Sequence, residues 1–318
     1  MKTASVTVSW GLPDETVEAL RSLAAMTVAP DLIICVDNGS SAEDVSQLRA
    51  NMPEETVLIE VGENLGFDAA NNLGMEYALS HKADWILLLN NDATVERECL
   101  SRCLAEALAT PGVAIVGPAV TFAGQPDLLW FGGGKVSDWF AYPRHRGLRQ
   151  PAASPPPTSD VGYVAGCCAL LSAEALRSVG LFRGDFFLVY GDAEWCQRAR
   201  AAGWRCRYLG EVLCQHAVSA SAGQRGSLGL TENSAYYEGR NPLRFALETP
   251  QTLRRLTRVT GILVVYGAFN AWRVIQSRQR AVAAAYIQGV ADAFRGRMGK
   301  RPALRSRASS LTLAESSR

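Results

Sequence analysis

The 318-residue chain lacks most of the features by which an α/β protein usually declares its ligand. No apolar run approaches the roughly 20 residues needed to span a bilayer. The longest uncharged stretch near the C-terminus, Val259 to Trp272, is short and carries Asn270 and two glycines. The opening "SVTVSW" reads as a strand and not as a charged, then apolar leader, so no signal peptide is expected. None of the eight cysteines forms a CxxC pair; Cys167 and Cys168 are adjacent, and several others sit inside apolar runs. That usage predicts buried, reduced thiols in a cytosolic protein and excludes a disulfide framework. The dinucleotide fingerprint G-x-G-x-x-G is missing after the first strand, where Trp10-Gly11-Leu12-Pro13 stands instead. "FGGGKVS" imitates a P-loop, but the first glycine of that motif would fall on Leu129. A G-x-S-x-G hydrolase elbow is absent too. Of the three histidines, His81 and His145 carry no readable signal.

What is present is an ordinary globular composition, 48% apolar, sufficient for a sizeable core. The net charge of +1 conceals an asymmetry. Residues 251–318 hold thirteen Lys/Arg and two Asp/Glu, against nineteen and twenty-nine in the rest. A basic tail on an acidic body is either a solvated face or one that meets an anionic partner. Over the first 120 residues, short apolar runs alternate with helical patterns. The strands are "SVTVSW", "DLIICVD", "TVLIEV", "WILLLN" and "VAIVGPAV"; the helices run over Asp14–Met26, "SAEDVSQLRA" with Ser41 as N-cap, Phe67–Leu79 and Val95–Ala109. Apolar runs without alternation suit strands covered on both faces, hence a doubly wound, mostly parallel sheet. Residues 121–160, with three successive glycines, Trp130, Phe131, Trp139 and "PAASPPPTSD", read as a long excursion. "FFLVYGDAEWCQRARAAGW" reads as a strand-like start running into a helix, and the chain beyond about 250 as two basic amphipathic helices.

In such a sheet ligands sit at the carboxyl ends of strands. Three of these ends are polar: Ser9, then Asp37-Asn38-Gly39-Ser40, then Asn90-Asn91-Asp92. A carboxylate closing a buried strand suits a hard divalent cation that is completed by water and phosphate oxygens. The same residues also make an asparagine-rich turn, so the motif alone leaves both readings open.

The motifs taken together, in order, resemble the inverting nucleotide-sugar glycosyltransferases of family 2, and most closely the rhamnosyltransferase-like branch. The likeness spans roughly residues 4–300. It rests on "SWGLPDETVEALRSL", "CVDNGSSAED", "GENLGFDAANNLGM", "LLLNNDATV", "FFLVYGDAEWCQRARAAGW", the histidine–serine element "CQHAVSAS", and "YYEGRN". It implies a GT-A fold: a Rossmann-like, mostly parallel sheet with helices on both faces, plus a C-terminal helical extension. Asp92 is then the carboxylate for Mg2+ or Mn2+, with His216 completing the metal shell. Asn90 stands where relatives often carry Asp. Asp37 accepts a hydrogen bond from the pyrimidine, and Ser9, Asn38 and Asn91 lie beside the nucleotide. Asn64, Gly66 and Asn72 form a tight turn into a helix, with the glycine admitting the nucleotide. Asp68 and Arg240 are expected to touch sugar or diphosphate. Asp192 is the expected general base that deprotonates the acceptor, with Glu194 as second choice; Gly191 replaces a glutamate that relatives carry before the base. Trp195 is read as core in preference to an acceptor platform.

The implied reaction moves a sugar, with L-rhamnose from its dTDP form the leading donor, onto a lipid-linked or polysaccharide acceptor in cell-envelope synthesis. Competing classes are a nucleotidyltransferase, which would normally show a Gly-rich basic motif after the first strand, and a non-catalytic nucleotide-sugar-binding homologue. The expected organisation is a catalytic domain over 1–250, a basic helical extension over 251–300 and a disordered tail over 301–318. The expected location is cytoplasmic, peripheral on an anionic membrane surface. A homodimer is the alternative use of the apolar tail, and no nucleic-acid partner is expected.

Overall fold

The computed structural model describes residues 1–136, 143–218, 231–277 and 279–302. Its centre is a mixed sheet. Strands β1 (Thr3–Ser9), β2 (Leu32–Asp37), β3 (Thr56–Glu60) and β4 (Trp85–Leu89) run parallel in the order β4-β1-β2-β3. All seven residues of β1 are buried, as its unbroken apolar and small-polar sequence requires. The crossovers are helices α1 (Pro13–Ala24), α2 (Ala42–Asn51) and α3 (Phe67–Ser80). Local chemistry starts these helices. Pro13 occupies the first turn of α1, and Ser41 caps α2 in a reciprocal box with Asp44.

After β5 (Ala93–Val95) and α4 (Cys99–Ala109), strand β6 (Val113–Phe122) continues the sheet. Excursion strands β7 (Gln125–Phe131), β8 (Gly134–Val136), β9 (Pro143–His145) and β10 (Ser159–Asp160) come next. Strand β11 (Cys168–Ser172) then inserts antiparallel between β4 and β6. Helices α5 (Ala173–Val179) and α6 (Gly191–Ala201) lead to β12 (Arg205–His216), which lies parallel to β6. The carboxyl ends of β1, β2, β4, β6 and β12 therefore share one edge.

Three expectations change. The helix read from Val95 begins at Cys99, because Ala93–Val95 pairs antiparallel with Cys214–His216 as a short edge strand. The long excursion is structured where it is described: β7 pairs with β6, β8 with β9, and β10 with β12, whereas Trp139 lies outside the described residues. "FFLVY" is no strand. Gly184–Phe186 is a 3-10 turn, and Phe187, Val189 and Tyr190 adopt positive φ before α6 begins.

The C-terminal unit comprises α7 (Glu232–Leu247), then an unbroken helical run of α8 (Thr252–Gly261), a π-helical turn (Ile262–Tyr266) and α9 (Gly267–Ser277), then α10 (Arg280–Arg295). Tyr236 and Tyr237 of α7 bury against Val282 and Ala285 of α10. A boundary at residue 250 therefore cuts α7 from its partner. Half-buried Glu238 accepts bonds from Tyr266 and Arg273, which pins the long helix to α7. No helix among the described residues is long and apolar enough to cross a membrane. All eight cysteines are buried free thiols. The expected tail falls, from residue 303 on, outside the described residues.

Candidate active site

The register of β12 against β5 sets His216 opposite Ala93, and hence beside Asp92. His216 Nε2 lies 3.0 Å from Asp92 Oδ1 and 3.3 Å from Asn90 Nδ2. Asp92 and His216 are 7% and 5% exposed. The side-chain oxygen of Asn90 and Nδ1 of His216 are buried without a partner, so donor capacity is left over at the end of β4. A carboxylate, an imidazole and an amide oxygen fit a divalent cation that takes its remaining ligands from phosphate and water. Among the described residues no group of three His, Cys, Asp or Glu could hold a metal alone, so such a cation would depend on its substrate. The Trp130 ring meets His216 edge-on at 4.7 Å, a neighbour that sequence reasoning missed; the only hint was its place beside the triple glycine. His145 packs on the same indole, and burial pushes its imidazole down to about 4, so it stays neutral.

Of the residues expected around the nucleotide, several spend their polar atoms on the chain itself. Asp37 accepts from the amides of Gly39 and Ser40 as an Asx-type turn. Asn38 accepts from the Leu65 amide and donates towards Asn64 and the Gly66 carbonyl, while Asn64 accepts from the Gly66 amide. Ser9 meets Thr16 at 3.1 Å, and Asn91 donates to Thr16 at 3.2 Å. Two more have roles within the chain itself. Asn72 clamps Phe182 through both its amide and carbonyl, 110 residues along the chain, so its side chain is committed away from a ligand. Gly66 is a glycine because the backbone of Phe187 approaches it: a Cβ would fall 2.5 Å from the Phe187 carbonyl oxygen, at φ +90°.

A cluster of carboxylates gathers at the mouth of α6. Asp192 is half-buried. Its Oδ2 accepts from the Gly166 amide at 2.9 Å and its Oδ1 from Ala193 at 2.7 Å. Burial raises its pKa, and these amide bonds hold the rise back. Glu194, the second base candidate, is held within the chain. It is buried and gripped by Arg198 Nε at 2.8 and 3.0 Å, while that guanidinium also donates to the carbonyls of Val179 and Leu181.

Asp68 faces the base cluster, and a Cβ on Gly191 would fall 2.2 Å from its Oδ1. The glycine before Asp192 thus leaves the space that the Asp68 carboxyl fills. Burial, then the charges of Asp192, Glu194 and Asp185, raise the Asp68 pKa well above the usual carboxylate range.

Arg240 touches no open space. It is 0% exposed and donates to Asn241, to the Gly299 carbonyl and to the carbonyls of Asp185 and Phe186, between the rings of Tyr236 and Tyr237. Asn241 donates to the carbonyls of Phe186, Leu188 and Val189. The "RN" of "YYEGRN" therefore holds the loop that delivers Asp192. Trp195 is fully buried and donates to the Gly180 carbonyl, as its core reading expects. The serines following His216 in "CQHAVSAS" lie outside the described residues.

With this geometry, the comparisons with known proteins converge. A galactofuranosyltransferase of Mycobacterium tuberculosis is 34% identical over 148 residues, 45% of this chain and 44% of its own, so the chain spans less than half of that relative. The N-acetylglucosaminyl-diphospho-decaprenol L-rhamnosyltransferase of the same organism is 26% identical over 265 residues, 74% of this chain and 85% of its own. A mannosyltransferase from Pyrobaculum calidifontis, solved with GDP-mannose and Mn2+, superimposes with TM-score 0.54 at 14% identity over 92% of this chain and 87% of its own, a likeness of fold. Residues 11–180 match glycosyl transferase family 2, and with its GT-A fold the chain belongs to that family.

Proposed function

We propose that the chain is an inverting hexosyltransferase, which moves a sugar from a nucleoside diphosphate to a lipid-linked or polysaccharide acceptor. L-rhamnose from dTDP-rhamnose is the leading donor. The observation that carries the reading is the juxtaposition of two unlike carboxylate environments through Gly166–Cys167, with the Asn90 amide on the Cys167 carbonyl: Asp92 with His216 on one side, Asp192 on two backbone amides on the other. Asp92, His216 and Asn90 would hold a divalent cation, Mg2+ or Mn2+; the Mn2+ in the mannosyltransferase complex supports this assignment. Bound there, the cation would neutralise charge that develops on the departing diphosphate.

Asp192 takes the proton of the acceptor hydroxyl as that oxygen attacks the anomeric carbon and the carbon–oxygen bond to phosphate breaks. Its amide bonds fix the carboxylate in one orientation, and its raised pKa strengthens it as a base. The floor built on Asp37, Asn38, Asn64 and Gly66 positions the base and ribose by shape, with its turns already satisfied before the donor arrives. The acceptor enters over α6, and the exposed apolar face of α8–α9 meets the membrane that carries it.

The test is a screen of purified protein against a panel of nucleotide sugars for donor hydrolysis and for transfer, with Mg2+, with Mn2+ and with chelator. Hydrolysis of one donor that needs metal, and that Asp92→Ala loses, is expected. Turnover undiminished in chelator would sink the metal assignment, and binding without hydrolysis of any donor would favour a non-catalytic homologue.

A further inference from the structure

The start of α3 is fastened to the stretch of chain that delivers the base. The Phe67 amide donates to the Phe187 carbonyl at 2.6 Å, and Asn72 clamps Phe182. Ala69 faces Gly184, where a Cβ would fall 3.0 Å from its own. The Asp68 carboxyl makes the contact nearest the base: a Cβ on Gly191 would fall 2.2, 2.3 and 2.4 Å from its Oδ1, Oδ2 and Cγ. Gly191 is not among the glycines of positive φ, so its backbone would accept a side chain. What excludes one is the Asp68 carboxyl. The mouth of α6 therefore rests on a side chain of α3, one residue before Asp192.

That contact is made by a carboxyl with little to stabilise a charge. Asp68 is 2% exposed, and its Oδ2 is buried without a hydrogen-bond partner. Like charges face it from both neighbouring elements: Asp192 and Glu194 on α6, and Asp185 on the 3-10 turn. The cations of those elements are engaged, Arg198 by Glu194 and Arg183 by Asp185 and Glu248. The thiols of Cys167 and Cys196, which feel the Asp192 charge, are pushed up by burial and stay neutral. A neutral carboxyl can pack against a glycine, but an unpaired buried anion must draw water or move. Movement there would shift the start of α6, and Asp192 with it.

We propose that Asp68 is a positioning residue for the base: as a neutral acid it fills the side-chain place of residue 191 and seats Asp192, and its ionisation in alkali unseats it. Activity then has two carboxyl limits, an acidic one at Asp192 and an alkaline one at Asp68. This role rests on the transferase reading and adds a second titrating group to that site.

The experiment follows donor hydrolysis against pH for wild type, Asp68→Ala and Asp68→Asn, with the donor that the nucleotide-sugar panel selects and water as acceptor. Asp68→Ala empties the contact. Its kcat is expected to fall about tenfold or more with donor KM within about twofold, since a misplacement of about 1 Å can cost about 100-fold. Asp68→Asn keeps the shape and cannot ionise. It should recover most of that loss and lack the alkaline limb of the wild-type kcat profile. Carbon NMR of protein labelled at the aspartate carboxyls reads the group directly, with the Asp68 signal identified by its loss in Asp68→Asn. A neutral Asp68 is expected near neutral pH. An ionised Asp68 there, an alkaline limb that survives in Asp68→Asn, or wild-type kcat in Asp68→Ala overturns the proposal. Hydrolysis by the wild-type protein keeps the two readings apart: absent with every donor, it sinks the transferase; present beside any of those three results, it sinks the role of Asp68 alone.

Discussion

Both flanks of the site use polar side chains to hold backbone, but over very different stretches of chain. On the donor flank the bonds are local or bridge neighbouring turns: Asp37 to Ser40, Asn64 to Gly66, Asn38 to Leu65. On the acceptor flank, Arg240 and Asn241 reach back more than 50 residues to the carbonyls of Asp185–Val189. The first arrangement is turn chemistry, which the segment itself specifies. The second makes the loop before α6 depend on α7, a helix that packs elsewhere. The donor floor can therefore form with the sheet, whereas the base is placed only once the C-terminal helices have docked.

The sharpest way to break this contrast is Arg240→Ala. It leaves the Gly299 carbonyl short of a donor and opens a hole beside two tyrosines, while the carbonyls of Asp185 and Phe186 keep bonds from the Gly299 amide and Asn241. An orphaned buried acceptor costs about 1–3 kcal/mol, and emptying a large buried site costs about 3–5 kcal/mol, so a loss on the order of 3–5 kcal/mol is expected in urea unfolding. Asn38→Ala, with one amide orphaned at the rim of a turn, should cost about 1–2 kcal/mol. Equal losses would erase the distinction between the two flanks.

Asp192→Asn comes next, since it tests what the acceptor flank is positioned to do. Turnover is expected to fall by at least about 100-fold, with nucleoside diphosphate affinity unchanged by calorimetry. Burial raises the Asp192 pKa, so the acidic limb of the wild-type rate profile should lie above the ordinary aspartate value, with activity lost as pH falls through it. A dead Glu194→Gln beside a normal Asp192→Asn would move the base to Glu194, against its tight pairing with Arg198.

How much was legible follows from the same distinction. Ser41 as a cap, the strands of the first half and the carboxylate closing β4 could all be read from neighbouring residues, and the structure has each in place. Val95 reads as the start of a helix because the strand that pairs with Ala93–Val95, Cys214–His216, comes some 120 residues later. "FFLVY" carries strand propensity, but its carbonyls are spent on Arg240 and Asn241. The resemblance places Asp68 by sugar or diphosphate; that its carboxyl fills the space left by Gly191, well over 100 residues away in sequence, is legible only in the fold.

The acceptor flank also carries an apolar face that the donor flank lacks. Leu253 and Ile275 are 72% and 71% exposed on the α8–α9 run, among Arg254 and Arg255. The inward grip of Glu238 on Tyr266 and Arg273 turns that face outward. Binding to anionic vesicles is expected, weakening with salt. Each Arg near such a surface is worth about 1 kcal/mol, so Arg254→Gln/Arg255→Gln should cut partitioning on the order of tenfold or more in a sedimentation assay. Protein that stays in the supernatant at low salt, with a concentration-dependent dimer by ultracentrifugation, would give the face to a second copy instead.

The smallest expected effect lies where the two flanks meet. Asp68 opens α3, where a helix start favours a carboxylate, yet burial and the facing charges of Asp192, Glu194 and Asp185 favour the neutral acid. Its Oδ2 has no hydrogen-bond partner, so nothing local repays ionisation. A carboxyl whose pKa is raised by folding lends its full stability below the unfolded value of about 3.9 and loses it as pH climbs through the folded value. Asp68→Asn keeps the shape and removes the titration. The variant should match wild type in acid and exceed it increasingly towards neutral and alkaline pH, by about 0.5–3 kcal/mol in urea melts, the usual scale of one substitution. A difference that does not change with pH would mean that Asp68 keeps one protonation state in folded and unfolded chain alike, and the two flanks would then meet without electrostatic strain.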